Sequence, residues 1–370
     1  MAHEELSPLN ITPGAIRFNT DSMKLEYFRI GMEGGSTSSY AGIGNLAAGE
    51  WVQLTTDSPD IQTGGTRGLN GGGYVAPSGK QDVIDYINLA TTGDAIDFGN
   101  LTAARYWISS HASSTRGVWG AGGVHPGSPN RSDVIDYVTI ASTGDAIDFG
   151  NLTAATYGTA SCSNSTRGLF TGGSAPGDNT ETNNIDYITI ASTGDARDFG
   201  DLSVAGYYLT ALASSTRGVF LSRRSGAGAS PNPFVYHNTI DYVTISTQGN
   251  AADFGDLTAT GAASCAASNS TRGIYTGNEN GTTNSIQYIT ISTLGNAQEF
   301  GDLLVAGLFG SGAAASSTRV TIAGGYISPT NSNVIQYVQI PTTGDAVDFG
   351  NLTVARYSMG SCSNGHGGLG

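Results

Sequence analysis

The stretch Ile185-Asp-Tyr-Ile-Thr-Ile190 is rich in β-branched and aromatic residues, a composition that suits a pleated surface. Thr193-Gly-Asp195 follows as a Gly-Asp turn of hairpin type, and Ala196-Arg-Asp-Phe-Gly-Asp-Leu202 reads as the return strand. In the first run Ile188 and Ile190 point to one face, Ile185 and Tyr187 to the other. Both faces therefore need cover, whereas a sandwich strand with one wet face would alternate more cleanly.

Working outward, Gly168-Leu-Phe-Thr-Gly-Gly173 is a short apolar run stopped by glycines, and a polar loop from Ser174 to Asn184 joins it to Ile185. Downstream, Tyr207-Tyr-Leu-Thr-Ala-Leu-Ala213 is a further strand of small and apolar residues, and Ser214-Ser-Thr-Arg turns into the next unit. One unit is thus four short antiparallel strands with no helical period.

The unit occurs six times. Its entry arginines are Arg67, Arg116, Arg167, Arg217, Arg272 and Arg319, and its Asp/Glu-Phe-Gly runs carry Phe98, Phe149, Phe199, Phe254, Phe300 and Phe349. A fixed period of this size means stacked or radial supersecondary units. Radially packed four-stranded sheets bury both faces against their neighbours, which is the β-propeller solution. A residue type present in every copy is then structural, and what is unique to one copy is the candidate for recognition.

The spacings mark where the chain varies. From the acid or amide of the Ile-x-Tyr run (Asp85, Asp136, Asp186, Asp241, Gln287, Gln336) to the acid before Phe-Gly is always 12 residues. From that acid to the next entry Arg it is 19 residues in four cases and 20 in the fifth. From the entry Arg to the next acid or amide it is 18, 20, 19, 24, 15 and 17. Length variation is concentrated in one connection, the place where loops on a fixed scaffold carry function.

The order of a small-residue strand, Arg-Gly-x-x-x-Gly-Gly, loop, Ile-Asp-Tyr and return strand resembles the kelch repeat over residues 66–370. That resemblance implies Gly-Gly at the end of the second strand and Tyr in the third. The chain departs from kelch in the fourth strand, where Phe98 and its equivalents replace a Trp. The resemblance speaks to architecture and not to activity. It also sets the phase. The first copy lacks a first strand, and Tyr357-Ser-Met-Gly-Ser-Cys-Ser-Asn364 matches the first strand Tyr157 to Asn164. The expected fold is all-β: a six-bladed kelch-like propeller over residues 59–370, its C-terminal strand closing the N-terminal blade and so removing exposed edges.

Composition narrows the function. A net charge of −14 argues against nucleic acid, which needs a basic face. The start Met1-Ala-His-Glu-Glu-Leu lacks the features of a signal peptide, and no apolar run approaches membrane-spanning length, so no membrane insertion is expected. Cys162, Cys265 and Cys362 occupy matching places in three first strands and read as buried free thiols. The five His residues are scattered without ligand spacing, so neither a metal nor a cofactor is expected.

Residues 1–58 lie outside the repeat. Their run Gly14-Ala-Ile-Arg-Phe-Asn-Thr-Asp-Ser-Met-Lys-Leu-Glu-Tyr-Phe28, then Gly49-Glu-Trp-Val-Gln-Leu54, is similar to a short β unit of bacteriophage tail-fibre and other virion proteins. The repeats likewise look like those in structural proteins of phages of marine bacteria, notably cyanobacteria. The resemblance implies a virion location and attachment to other virion proteins through the N-terminus, as a homo-oligomer, with a trimer the first expectation. A segment this short usually needs a partner to bury its apolar residues, here Ile16, Phe18, Leu25, Tyr27 and Trp51.

Sharper chemistry finds little support. Asp-Phe-Gly occurs in five copies with no kinase partner motifs. Asp94, Asp97, Asp145 and Asp148 read as turn and surface acids rather than a calcium seat. The entry arginines read as tethers pairing with repeat carboxylates, not as an anion-binding ring. No copy has the excess of unique residues a propeller hydrolase or copper oxidase needs. The expectation is a non-enzymatic virion structural protein, a fibre or fibre-like appendage, whose loops meet a host-surface glycan or protein or another virion protein, with a peptide-binding adaptor and a carbohydrate-active enzyme as alternatives. The loop candidates are Arg223, Arg224, Phe234, Tyr236 and His237 in the longest loop, with Tyr74, His125, Arg131 and Tyr326 in others. Aromatic rings with polar tips suit such contact.

Overall fold

A computed structural model describes residues 15–19, 24–30, 49–53, 66–124, 131–175, 180–226, 228, 232–276, 284–305 and 308–369. The chain divides into two compact units, Met1–Ile61 and Gln62–Gly370.

In the first unit three strands, Ile16–Asn19, Lys24–Ile30 and Gly49–Gln53, form one antiparallel sheet in chain order. Its register sets Ile16 opposite Tyr27, Phe18 opposite Leu25 and Phe28 opposite Trp51. Ile16 is exposed. The side chains of Phe18, Leu25, Tyr27 and Trp51 lie outside the described residues.

The second unit is a six-bladed β-propeller, each blade a four-stranded antiparallel sheet. Blade 1 is assembled from both ends of the unit: Gly360–Ser363 is its innermost strand, followed by Arg67–Gly71, Val83–Asn88 and Ile96–Asn100. The closing register runs from Gly360 opposite Gly71 to Ser363 opposite Gly68. Blades 2 to 6 begin with the innermost strands Ser109–Ala112, Ala160–Ser163, Thr210–Ala213, Cys265–Ser268 and Gly312–Ala315. These are rich in Ala, Ser and Cys because six strands converge around one channel and leave little room for larger side chains.

Both faces of every blade are buried, as the two-faced pattern requires. Ile185 packs with Leu169, Phe199 and Phe220 toward blade 4, while Ile188 and Ile190 pack with Phe149 and Phe170 toward blade 2. The three cysteines are free and buried, and burial pushes each thiol up to about 12.

Three sets of tethers join each blade to the next. Every entry guanidinium lies 4.5–5.0 Å from the Tyr ring of its own blade. Its Nη1 donates at 2.6–3.2 Å to a backbone carbonyl of the following blade: Arg67 to Ile140, Arg116 to Ile190, Arg167 to Ile245, Arg217 to Ile291, Arg272 to Ile340 and Arg319 to Leu89. The expected carboxylate partner is thus corrected to an aromatic face and a carbonyl. These satisfy the cation without a second buried charge.

The Gly-Asp turns form the second set. Gly144 N donates to Phe98 O and Ala146 N to Asn100 O, and this pairing repeats around the ring to Gly93 and Ala95 against Phe349 and Asn351. Each turn thereby covers the free edge of the preceding outermost strand. The turn Asp or Asn accepts the backbone N–H after Phe-Gly, as Asp145 does from Asn100 at 2.9 Å and Asp94 from Asn351 at 2.9 Å. The close approach explains the motif's glycine: a Cβ on Gly99 would lie 2.4 Å from the carbonyl oxygen of Gly144.

The third set uses the Ile-x-Tyr acid or amide. Asp136 accepts from Thr102, Asp186 from Thr153, Asp241 from Ser203, Gln287 from Thr258 and Gln336 from Leu304, each donor just past the Phe-Gly run of the preceding blade. Three of the acids also hold buried cations in the ion pairs Arg105–Asp136, Arg223–Asp241 and Arg356–Asp85.

Candidate recognition site at the channel mouth

Just before each innermost strand, one residue enters a closed ring of backbone hydrogen bonds. Gly158 N donates to Trp107 O (3.1 Å), Tyr208 to Gly158 (2.7 Å), Ala263 to Tyr208 (2.9 Å) and Gly310 to Ala263 (2.9 Å). Ser358 donates to Gly310 (2.6 Å), and Trp107 to Ser358 (2.8 Å) completes the circle. All six residues are left-handed, with φ from 52° at Trp107 to 68° at Gly158. For a bulky residue such as Trp107 or Tyr208 that region is disfavoured by about 1–3 kcal/mol and persists only where surrounding structure imposes it. Here the closure of the ring imposes it.

The rings of Trp107 and Tyr208 stack at 4.0 Å between centroids. The two glycines of the circle make space for them: a Cβ on Gly158 would come 2.7 Å from Tyr208, and one on Gly310 would lie 3.3 Å from Trp107. Phe309 meets Trp107 edge-on at 5.1 Å and Tyr357 at 6.0 Å. Tyr357 in turn touches Tyr74 and Tyr326 at 5.7 and 5.1 Å, and Tyr74 reaches Tyr106 at 5.4 Å. On the other side Tyr208 contacts Tyr207 and Tyr157. The contacting rings thus form one continuous aromatic cluster at the mouth, to which the fifth blade adds only Ala262 and Ala263, and most of the rings are half-buried with one part packed and one part accessible. Burial, then the neighbouring tyrosines, raises the pKa of the Tyr106 and Tyr357 hydroxyls above the ordinary phenol value, so they remain donors.

Beneath lies a cavity of about 90 Å³ lined by the innermost strands, with hydroxyls of Thr159, Ser161, Thr210, Ser264, Ser311 and Ser361. At the far end of the innermost strands Gly367–Leu369 form a buried 3-10 turn, and His366 Nε2 lies 2.7 Å from Ala112 O.

The loop candidates divide. Tyr74 and Tyr326 stand on the aromatic rim. Arg131 lies over Tyr157 at 4.9 Å and donates to Ser174 Oγ at 2.8 Å. Arg224 is buried beneath Phe234 and over Tyr207 and Tyr208. Tyr236 packs against the cluster of Tyr207, Tyr208, Ala262 and Ala263, and Ser225 Oγ sits 3.0 Å from His237 Nε2. Arg223 is a correction: it is fully buried against Asp241, with Val204 O accepting at 2.8 Å, so it braces blade 4 rather than facing a ligand. The strands of that hairpin extend to Ser225 and resume at Val235, so the connecting loop is shorter than the sequence spacing suggests. His125 lies outside the described residues.

Trp107, Tyr106, Tyr157, Phe309 and Tyr357 were not among the sequence candidates. Their signal was the copy-to-copy change at the two positions before the innermost strand: Tyr-Trp, Tyr-Gly, Tyr-Tyr, Ala-Ala, Phe-Gly and Tyr-Ser. Among the described residues no group of three or more His, Cys, Asp or Glu is arranged to hold a metal, and no helix is long and apolar enough to cross a membrane. No protein-family model and no curated protein matches the chain.

Proposed function

We propose that this chain is a non-enzymatic attachment protein whose propeller binds a surface glycan at the aromatic channel mouth. The observation that carries this reading is the pairing of half-buried rings with hydroxyl donors, built on two left-handed aromatic residues that the backbone circle holds in place. A pyranose presents a C–H-rich apolar face and a rim of hydroxyls. Rings with polar tips meet both needs at once, and a preformed surface binds without a large ordering cost.

The virion setting is supported by the N-terminal resemblance and by the repeat resemblance to phage structural proteins. In that setting residues 1–58 join other virion proteins, in a homo-oligomer, and the propeller faces outward. Mass spectrometry and gold labelling of purified particles test the location, and absence from particles contradicts it. Retention of the purified chain on a glycan array tests the ligand class. A propeller that retains no glycan and instead captures a peptide supports the adaptor reading.

A further inference from the structure

The Ile-x-Tyr acid holds the same register in each acidic blade, opposite the acid before Phe-Gly: Asp85 with Asp97, Asp136 with Asp148, Asp186 with Asp198 and Asp241 with Asp253. Three of these four acids face a buried guanidinium. Arg105 and Arg356 each stand eight residues after the acid before Phe-Gly. In blade 4 that position preceding it is Gly206, and Arg223 supplies the cation from the second strand; a Cβ on Gly206 would lie 3.1 Å from the Arg223 side chain. Where Gly261 stands at the position, the next acid is replaced by the neutral Gln287.

Asp186 breaks this pattern. The residue at the arginine position is Thr156, and the backbone shows the equivalence: Gly73 donates to Arg105 O, Gly122 to Thr156 O and Gly325 to Arg356 O, at 2.8, 2.8 and 3.0 Å. Asp186 is nonetheless buried, 7 % exposed, and among the described residues no cation reaches it. A cavity of about 20 Å³ remains, with Asp186, Asn184 and threonines 153, 156, 159, 171 and 182 on its polar side and Leu152, Ala154 and Phe170 on its apolar side. Thr153 donates to the carboxylate from N at 3.0 Å and from Oγ1 at 2.7 and 2.8 Å, which leaves lone pairs over, since a carboxylate offers about four acceptor sites.

We propose that this cavity between blades 2 and 3 binds one desolvated monovalent cation, which replaces the guanidinium of the other acidic blades. Its volume fits one water-sized species, which needs roughly 10–15 Å³, and is too small for a quaternary ammonium. A single carboxylate among neutral oxygens suits a single charge, whereas calcium and magnesium demand six or more oxygen ligands or retained waters. Burial first, and Asp198 opposite, hold the Asp186 carboxyl above the usual carboxylate range, against the lowering by Thr153. A cation in the cavity offsets that cost.

The test is thermal unfolding of the full chain in sodium, potassium or ammonium chloride against choline chloride at equal ionic strength. Three proteins are compared: wild type, Asp186→Gln and Thr156→Arg. Gln287 and Gln336 already occupy this register, so Asp186→Gln preserves the fold. Above the dissociation constant, wild type should gain roughly 2 °C per tenfold increase in the favoured ion for a propeller of this size. Both variants should lose that dependence, and crystals in thallium(I) should show an anomalous peak in the cavity of wild type only. Equal melting of wild type in all four salts, the outcome for a protonated Asp186 beside a water, overturns the proposal. So does the same ion dependence in Asp186→Gln.

Discussion

Arg319 of the last blade donates from Nη1 to the carbonyl of Leu89 in the first, at 3.2 Å, while its guanidinium lies 4.8 Å from the Tyr337 ring. The ring of tethers therefore closes across the same junction where the C-terminal strand enters blade 1. Arg319→Met keeps the apolar stem and removes both interactions. A loss of about 1–2 kcal/mol is expected in urea unfolding. Arg116→Met, distant in the ring, should cost a similar amount, and the two should add. A double mutant no less stable than either single would show that the tethers do not act separately.

Deleting residues 357–370 removes the strand paired with Arg67–Gly71 and exposes that edge. Met359, Cys362 and Leu369 lose their burial. At about 1.5–3 kcal/mol for each large apolar side chain the loss is on the order of 5 kcal/mol, comparable with the net stability of a domain. The truncated chain should melt far lower or aggregate. An unchanged melting temperature would show that closure lies elsewhere.

The buried pair Arg356–Asp85 couples blade 6 to blade 1 at 2.8 Å. Arg356→Gly alone strands a buried carboxylate, and a cost of about 3–5 kcal/mol is expected. Adding Asp85→Gln reproduces the Gly261 and Gln287 combination that the chain already uses at another junction. The double variant should recover much of the loss in the same unfolding assay. No recovery would mean that the two combinations are not interchangeable.

His111 is buried against Phe170, with neither ring nitrogen hydrogen-bonded among the described residues. Burial, then His366, holds its pKa at about 3 against an ordinary 6.5. The unfolded chain therefore binds a proton that the native chain refuses. Its contribution is fully present above pH 6.5 and is lost progressively as pH falls toward 3. Melting temperatures between pH 7 and 4 should drop less steeply in His111→Leu than in wild type. Parallel profiles would assign the acid sensitivity to other groups.

Much of the scaffold was legible in the sequence because it repeats. The two-faced run Ile185 to Ile190 dictated burial on both sides, and the match of Tyr357–Asn364 to Tyr157–Asn164 located the closing strand. Arg105 and Arg356 were missed because only two copies carry Arg there, and their partner acids recur as Asp186 and Asp241 in copies that lack it. The mouth was missed for a different reason. Variable length drew attention to the loops, yet Trp107, Phe309 and Tyr357 sit in a connection of nearly constant length. That length is constrained because one residue from each copy must enter the backbone circle, while the side chains beside it are free to differ.

Glycan binding by Trp107→Ala and Tyr357→Ala, alone and combined, tests the central claim most directly. Each variant is compared on a glycan array with wild type and with Asp97→Asn, which lies on an outermost strand. The account predicts that wild type and Asp97→Asn retain the same glycans, while the double variant loses retention by tenfold or more with an unchanged melting profile. Equal retention by the double variant, or no glycan retained by the folded wild-type chain, would contradict it.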